Sequence, residues 1–319
     1  MIIPEFLHES DCIGITASSC GILDKKKKYI DSINNIKKQG FTIKETENVY
    51  TNGMVSGSSL QRAKQFMDLI EDNQVKAIAI ASGGDFLFDM LPFLDYEKIK
   101  NNPKWIIGSS DPTSLLFTIT TNLNIQTIYS PCNMSGFNGQ MHPSLYSFFD
   151  ILKGKKVKQI QYDYCEKVSF SDSFDLRNEW TIINGPVDCT GTLIGGCIEC
   201  LKDVIGTRFD HTKEFISQFD HMIWYFDVFN MSAESLYLTL TQFKNAGWFT
   251  NCNAILIGKV AFESSFVGLS YQQAIAQAIQ DIPVIYRFDI GHVKPSFTMI
   301  NGAKAHVVYN QKGYIKIED

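Results

Sequence analysis

The stretch Trp105–Leu116, WIIGSSDPTSLL, holds a serine where it could act as a nucleophile. Trp105, Ile106 and Ile107 read as a buried strand. Pro112 suits the first turn of the apolar helix that follows, where a missing N–H costs nothing. Ser110 then falls on a sharp strand-to-helix turn, beside backbone N–H groups and the positive helix end. That is the geometry of a nucleophile elbow, an exposed hydroxyl with an oxyanion site in the adjoining backbone. The stretch is not G-x-S-x-G, because Pro112 stands where the second glycine would be. A Ser/Asp N-cap on an ordinary helix is the competing reading.

A serine nucleophile needs a base, and the base needs a group to orient it. Of the six histidines, His292 alone stands in a Gly-flanked turn at the end of an expected strand. His8, His142, His211, His221 and His306 fall near turns, in polar segments or in the tail, with no partner suggested. Asp227 directly follows the apolar run MIWYF, which would lift its carboxylate to the edge of a sheet; a capping or loop Asp is the alternative. Ser82-Gly83-Gly84-Asp85 follows the apolar run VKAIAIA as a loop where backbone can approach a ligand closely. Gly83 and Asp85 are therefore candidates for substrate contact. Trp180 is another, as a surface on which a base or peptide stacks, against a core role for the same ring.

These residues need elements to carry them. Strands are expected at Cys12–Thr16, Phe41–Val49, Val75–Ala81, Trp105–Ile107 and Thr127–Tyr129, with helices at 25–39, 59–71 and 112–123 between them. Nearly all-apolar strands alternating with helices argue for a parallel sheet covered on both faces. The SGGD loop and the GSSD turn both lie at carboxyl ends of strands, where open α/β sheets bind ligands. Neither G-x-G-x-x-G nor G-x-x-x-x-G-K-[ST] occurs, so nucleotide phosphate binding of those kinds is not expected. Residues 136–185 change character, with Gly, Asn, Ser and Pro, a basic patch at Lys153–Lys158 and a polar run, and read as a linker with some β structure. Gly191–Gly196 reads as a small-residue turn into a helix at Cys197–Val204. Strands follow at 222–226, 254–257 and 284–286, helices at 232–245 and 271–279, and the tail 296–317 alternates as β strands do. The expected fold class is thus α/β: an N-terminal flavodoxin- or Rossmann-like parallel-sheet domain (1–135) and a C-terminal mixed, β-rich domain (186–319).

Composition agrees with a soluble globular protein. The chain has 319 residues, 45% hydrophobic and 20% charged, with a formal net charge of -5. Lys25–Lys28 is the densest basic cluster, too short to favour nucleic acid or anionic membrane as a partner. No apolar run reaches the roughly 18 residues that span a bilayer. No basic n-region with an apolar h-region opens the chain, so a cytoplasmic location is expected. The eight cysteines are scattered, and Cys197 and Cys200 form a lone C-x-x-C without the second ligand pair that zinc requires. No metal or other cofactor is expected.

Five motifs in order, IASGGD (Ile80–Asp85), PFLDYEKIKNNPKWIIGSSD (Pro92–Asp111), GTLIGGC (Gly191–Cys197), the strand ending in Asp227 and GHVKP (Gly291–Pro295), resemble the LD-carboxypeptidase family. That family includes murein tetrapeptide carboxypeptidases and microcin C immunity peptidases. The resemblance implies a serine peptidase with a Ser-Glu-His triad, Ser110 as nucleophile and His292 as base. It further implies an oxyanion hole from the Gly84 and Asp111 N–H groups, and a homodimer. The implied substrates are the L,D bond of a murein tetrapeptide, releasing D-alanine, or the amide of a peptidyl-nucleotide. The chain departs from the family at one member: Asp227 stands where the family has Glu, about 1.5 Å shorter in reach. Glu199 and Glu234 are the fallback partners for His292. The departure motivates a second reading, a pseudo-enzyme that captures its ligand uncleaved. A third is a metal- or thiol-dependent enzyme using Cys197 and Cys200.

Overall fold

The computed structural model describes residues 1–310 and 312–318. The chain divides into two compact units, Met1–Lys155 and Lys156–Asp319.

In the first unit, β1 (Cys12–Thr16), α1 (Lys26–Lys37), β2 (Thr42–Glu45), α2 (Ser59–Glu71), β3 (Val75–Ile80), α3 (Tyr96–Asn101), β4 (Trp105–Gly108), α4 (Thr113–Leu123), β5 (Thr127–Tyr129) and α5 (Pro143–Leu152) follow in chain order. The strands pair in parallel in the order β5-β4-β3-β1-β2. This is the doubly wound order that reverses between β1 and β3, and ligands gather outside the carboxyl ends of strands at such a reversal. β3 and β4 carry almost nothing but buried apolar side chains, as a sheet covered on both faces demands. α2 opens on a capping box between Ser58 and Gln61. α4 is almost wholly buried, so its apolar sequence reflects a central helix rather than an amphipathic one.

The second unit holds β6 (Lys158–Ile160), β7 (Tyr164–Glu166), β8 (Phe174–Arg177), β9 (Thr181–Ile183), β10 (Val187–Cys197), α6 (Ile198–Val204), α7 (Thr212–Ile216), β11 (Met222–Asp227), α8 (Ala233–Asn245), β12 (Cys252–Gly258), α9 (Tyr271–Ala278), β13 (Val284–Phe288), β14 (Met299–Asn301), β15 (Lys304–Tyr309) and β16 (Tyr314–Ile317). Eight of these strands make a mixed sheet in the order β6-β16-β15-β10-β11-β12-β13-β9. Its centre, β10 to β13, is parallel, and its flanks are antiparallel. Stacked aromatics fill the α8 side: Trp224 and Trp248 lie 5.4 Å apart and Phe243 and Trp248 4.4 Å apart, centroid to centroid. No helix among the described residues is long and apolar enough to cross a membrane.

Two sequence expectations are corrected here. Gly191–Gly196 is not a turn but part of the eleven-residue strand β10. A Cβ on Gly195 would lie 1.9 Å from the Tyr225 carbonyl oxygen, so this glycine serves close approach of the neighbouring strand, not chain reversal. The segment expected as a linker is divided instead. Pro143–Leu152 forms α5 of the first unit, with Pro143 at its first position and His142 capping it, and residues from 158 onward supply strands to the second.

Candidate active site

In the first unit, Ser110 follows directly on β4 and its Ser109 neighbour. Its φ is 66°, in the left-handed region that non-glycine residues rarely occupy, and such strain gathers at functional turns. The turn is held from several sides. The Ser110 N–H donates to the Tyr129 phenol at 3.0 Å. Asn133 clamps Ser109 in both directions, its Oδ1 accepting from the Ser109 N–H (3.0 Å) and its Nδ2 donating to the Ser109 carbonyl (2.9 Å). A Cβ on Gly108 would lie 2.6 Å from Pro112 Cβ, so only glycine lets α4 fold back this tightly over the end of β4.

The SGGD loop after β3 borders the same turn. A Cβ placed on Gly83 would lie 3.5 Å from Ser110 Oγ. One on Gly84 would lie 2.2 Å from Ser19 Oγ and 2.6 Å from Cys20 Sγ, so the β1 and β3 loops touch with no room for a side chain. Asp111 is buried, and its Oδ2 accepts from the Leu87 N–H at 3.0 Å, pinning the segment after the SGGD loop. Burial pushes the Asp111 carboxyl above its ordinary range, against hydrogen bonds from Ser19 and Leu87. Asp85 is exposed beside them.

In the second unit, Asp227 ends β11 fully buried. Its Oδ2 lies 2.8 Å from His292 Nδ1, and its Oδ1 accepts from the His292 backbone N–H at 3.2 Å. The shorter acid therefore meets both the ring and the backbone of His292. Glycine at 291 makes this possible: φ is 93°, and a Cβ there would fall 1.9 Å from Asp227 Oδ1. Burial works to lower the His292 pKa, but the Asp227 carboxylate, with a smaller contribution from Glu199, outweighs it and holds the imidazole above its ordinary 6.5. Phe229 packs against the ring with centroids 4.5 Å apart, and Phe170 meets it edge-on at 6.1 Å.

The fallback acids are engaged elsewhere. Glu199 Oε1 accepts from three successive backbone N–H groups, Phe229, Asn230 and Met231, at 3.0, 3.0 and 3.1 Å, so it cradles the loop after β11. Glu234 Oε1 accepts from the Ser265 hydroxyl and from the Phe266 and Val267 backbone N–H groups. Cys197 is buried, and its hydrogen bond with Cys200, together with burial, pushes its thiol well up, away from the thiolate that nucleophilic or ligand chemistry needs. Trp180 is 4% exposed and packs on Phe288 (4.4 Å) and Tyr309 (5.3 Å), so its ring belongs to the second unit's core as folded. Tyr129, Asn133 and Phe229 were not singled out from the sequence, and Glu199 was expected beside His292 rather than under the loop after β11. Of the first three only Asn133 had a signal, a lone amide in the small-residue loop after β5.

The chain resembles known proteins along most of its length. The Escherichia coli microcin C7 self-immunity protein MccF is 26% identical over 326 residues, covering 96% of this chain and 93% of that protein. A Bacillus subtilis protein named "Probable murein peptide carboxypeptidase" is 24% identical over 319 residues, covering 95% of this chain and 90% of that one. The structure of MccF in complex with aspartyl sulfamoyl adenosine shares the fold, with a TM-score of 0.85 at 23% identity over 100% of this chain and 99% of that chain. The family model for the LD-carboxypeptidase N-terminal domain matches residues 13–130, and that for the C-terminal domain matches residues 190–307. Between them these two models take in both the Ser110 turn and the Asp227–His292 pair, and the chain belongs to the LD-carboxypeptidase family.

Proposed function

We propose that the protein is a serine carboxypeptidase in which Ser110, His292 and Asp227 act as one catalytic unit. The observation that carries this reading is the buried Asp227 carboxylate 2.8 Å from His292 Nδ1. That contact fixes the ring so that Nε2 is the nitrogen left to take a proton, which is the task of the acid in a serine triad. Ser110 Oγ attacks the scissile carbonyl while His292 accepts its proton. The resulting imidazolium is stabilised by Asp227, and the Gly84 and Asp111 N–H groups hold the oxyanion. His292 then gives the proton to the leaving amine. Water, activated by the same imidazole, releases the acyl group from Ser110.

The substrate reading is the L,D amide of a murein tetrapeptide, with D-alanine as the product. Full-length likeness to MccF supports a second substrate, the amide of a peptidyl-nucleotide, since MccF has been solved with an aminoacyl sulfamoyl nucleoside. Mass-spectrometric scoring of a murein tetrapeptide beside a peptidyl-adenylate separates the two. Loss of D-alanine from the first supports the carboxypeptidase, and release of the nucleotide part from the second supports the immunity-type peptidase. Neither product, or equal hydrolysis by Ser110→Ala, rejects the proposal.

A further inference from the structure

Glu166 is buried, 1% exposed, at the end of β7, and the catalytic proposal gives it no task. Three backbone N–H groups donate to its carboxylate. Two come from the turn between β7 and β8: Asp172 to Oε1 at 2.7 Å and Phe170 to Oε2 at 3.3 Å. The third is Lys294, two residues beyond His292, which donates to Oε2 at 3.1 Å. The Glu166 N–H also donates to the Lys294 carbonyl at 2.8 Å. One side chain thus ties a surface turn to the loop that carries His292.

The turn it holds is strained. Phe170 has a φ of 65° and Asp172 a φ of 56°, costly positions for residues other than glycine, and most of all for a bulky aromatic. Such conformations persist where the surroundings over-determine them, and they cluster at functional sites. Here the strain brings the Phe170 ring edge-on to His292, with centroids 6.1 Å apart. The Lys294 ammonium pairs with the Asp172 carboxylate across the same two segments.

We infer that Glu166 is a positioning residue: its carboxylate locks the 167–173 turn and the His292 loop into one piece and so sets where the imidazole stands. It touches no reacting atom and acts through Lys294 and Phe170. Gln at this position keeps one acceptor oxygen and sets an NH2 group against either the Asp172 N–H or the Phe170 and Lys294 N–H groups, and in either orientation the tie between the two segments is weakened. A displacement of the base by about 1 Å costs on the order of a hundredfold in rate. The catalytic part of this inference rests on the proposed Ser110–His292 reading, whereas the mechanical part does not.

The test uses the full chain as wild type, Glu166→Gln, Glu166→Asp and Phe170→Gly. Hydrogen exchange read by mass spectrometry follows peptides spanning 167–173 and 290–296. Fluorophosphonate labelling of Ser110 is timed across pH on the same samples. The inference expects faster exchange in both segments of Glu166→Gln, with labelling about tenfold to a hundredfold slower and the midpoint of its pH profile unmoved. Phe170→Gly, which fits the left-handed φ, should keep 290–296 protected. Should Glu166→Gln fail to fold, Glu166→Asp, too short to reach all three donors, is read by the same criteria. Wild-type exchange at 290–296 in the folded Glu166 variant overturns the inference, as does an unchanged labelling rate. If wild type itself goes unlabelled, the Ser110 reading falls, and the exchange result alone decides whether Glu166 couples the two segments.

Discussion

Replacing Asp227 by Asn removes the charge on His292 while keeping side-chain shape. Three influences act on the imidazole: burial lowers its pKa and is the largest single one, Asp227 raises it by charge and hydrogen bond, and Glu199 raises it least. Without Asp227 the largest lowering influence faces only the smallest raising one, so the pKa falls from above 6.5 to below it. The base must be neutral to accept the Ser110 proton. Wild-type kcat/KM should therefore rise with pH to a midpoint above 6.5, and in Asp227→Asn that midpoint should move to lower pH. Each unit of movement corresponds to about 1.4 kcal/mol of lost charge interaction. The plateau should drop by about three to four orders of magnitude, the scale seen when an amide replaces the triad acid and no longer fixes the imidazole tautomer. Because the folded pKa is raised, the Asp227–His292 pair stabilises the fold fully below the unfolded pKa near 6.5, and this contribution disappears as pH rises through the folded value. The assay is kcat/KM between about pH 5 and 9 on the cleaved substrate, normalised by active-site titration, with ring NMR of His292 alongside. A midpoint that stays put or moves to higher pH would refute the reasoning.

Further outcomes follow from the same geometry. Ser110→Gly, which accepts the φ of 66°, should be more stable than Ser110→Ala by about 1 kcal/mol in chemical denaturation, while both are inactive; equal stabilities would deny strain at the turn. Gly291→Ala should lose about 1–3 kcal/mol and most activity, because its Cβ would occupy the space of Asp227 Oδ1. The fully buried Asp289 takes Lys259 Nζ at 2.5 Å and Asn178 Nδ2 at 2.7 Å at the base of the His292 loop. Lys259→Met should therefore cost about 3–5 kcal/mol by stranding a buried charge. Adding Asp289→Asn should recover most of that loss in urea denaturation, and no recovery would show that the pair is not the cause.

The catalytic candidates were legible because chemistry at strand ends leaves local marks. Gly108-Ser-Ser-Asp-Pro112 announces a turn into a helix, and an apolar run with a terminal acid announces Asp227. Apolar runs of three to seven residues likewise placed β1, β3, β4 and β11. What escaped lies in contacts distant along the chain. Asp227 and His292 are 65 residues apart, and Glu166 and Lys294 are 128 apart, so no periodicity links them. Glycine misled where it serves packing instead of turning, as Gly195 does beside Tyr225 in β10. α5 was hidden because Gly, Asn and Pro around it read as linker, although Pro143 followed by SLYSFFDIL already had a helix start and apolar spacing. The family resemblance proposed from motifs agrees with the domain models that match the chain.

The central claim is that Ser110 is a nucleophile made reactive by His292, and covalent labelling tests it most directly. A fluorophosphonate probe, mapped by mass spectrometry, should attach to Ser110 of the wild-type protein and fail to attach to folded His292→Ala on the same timescale. Absence of label on the wild type, label at another residue, or equal labelling of His292→Ala would contradict it.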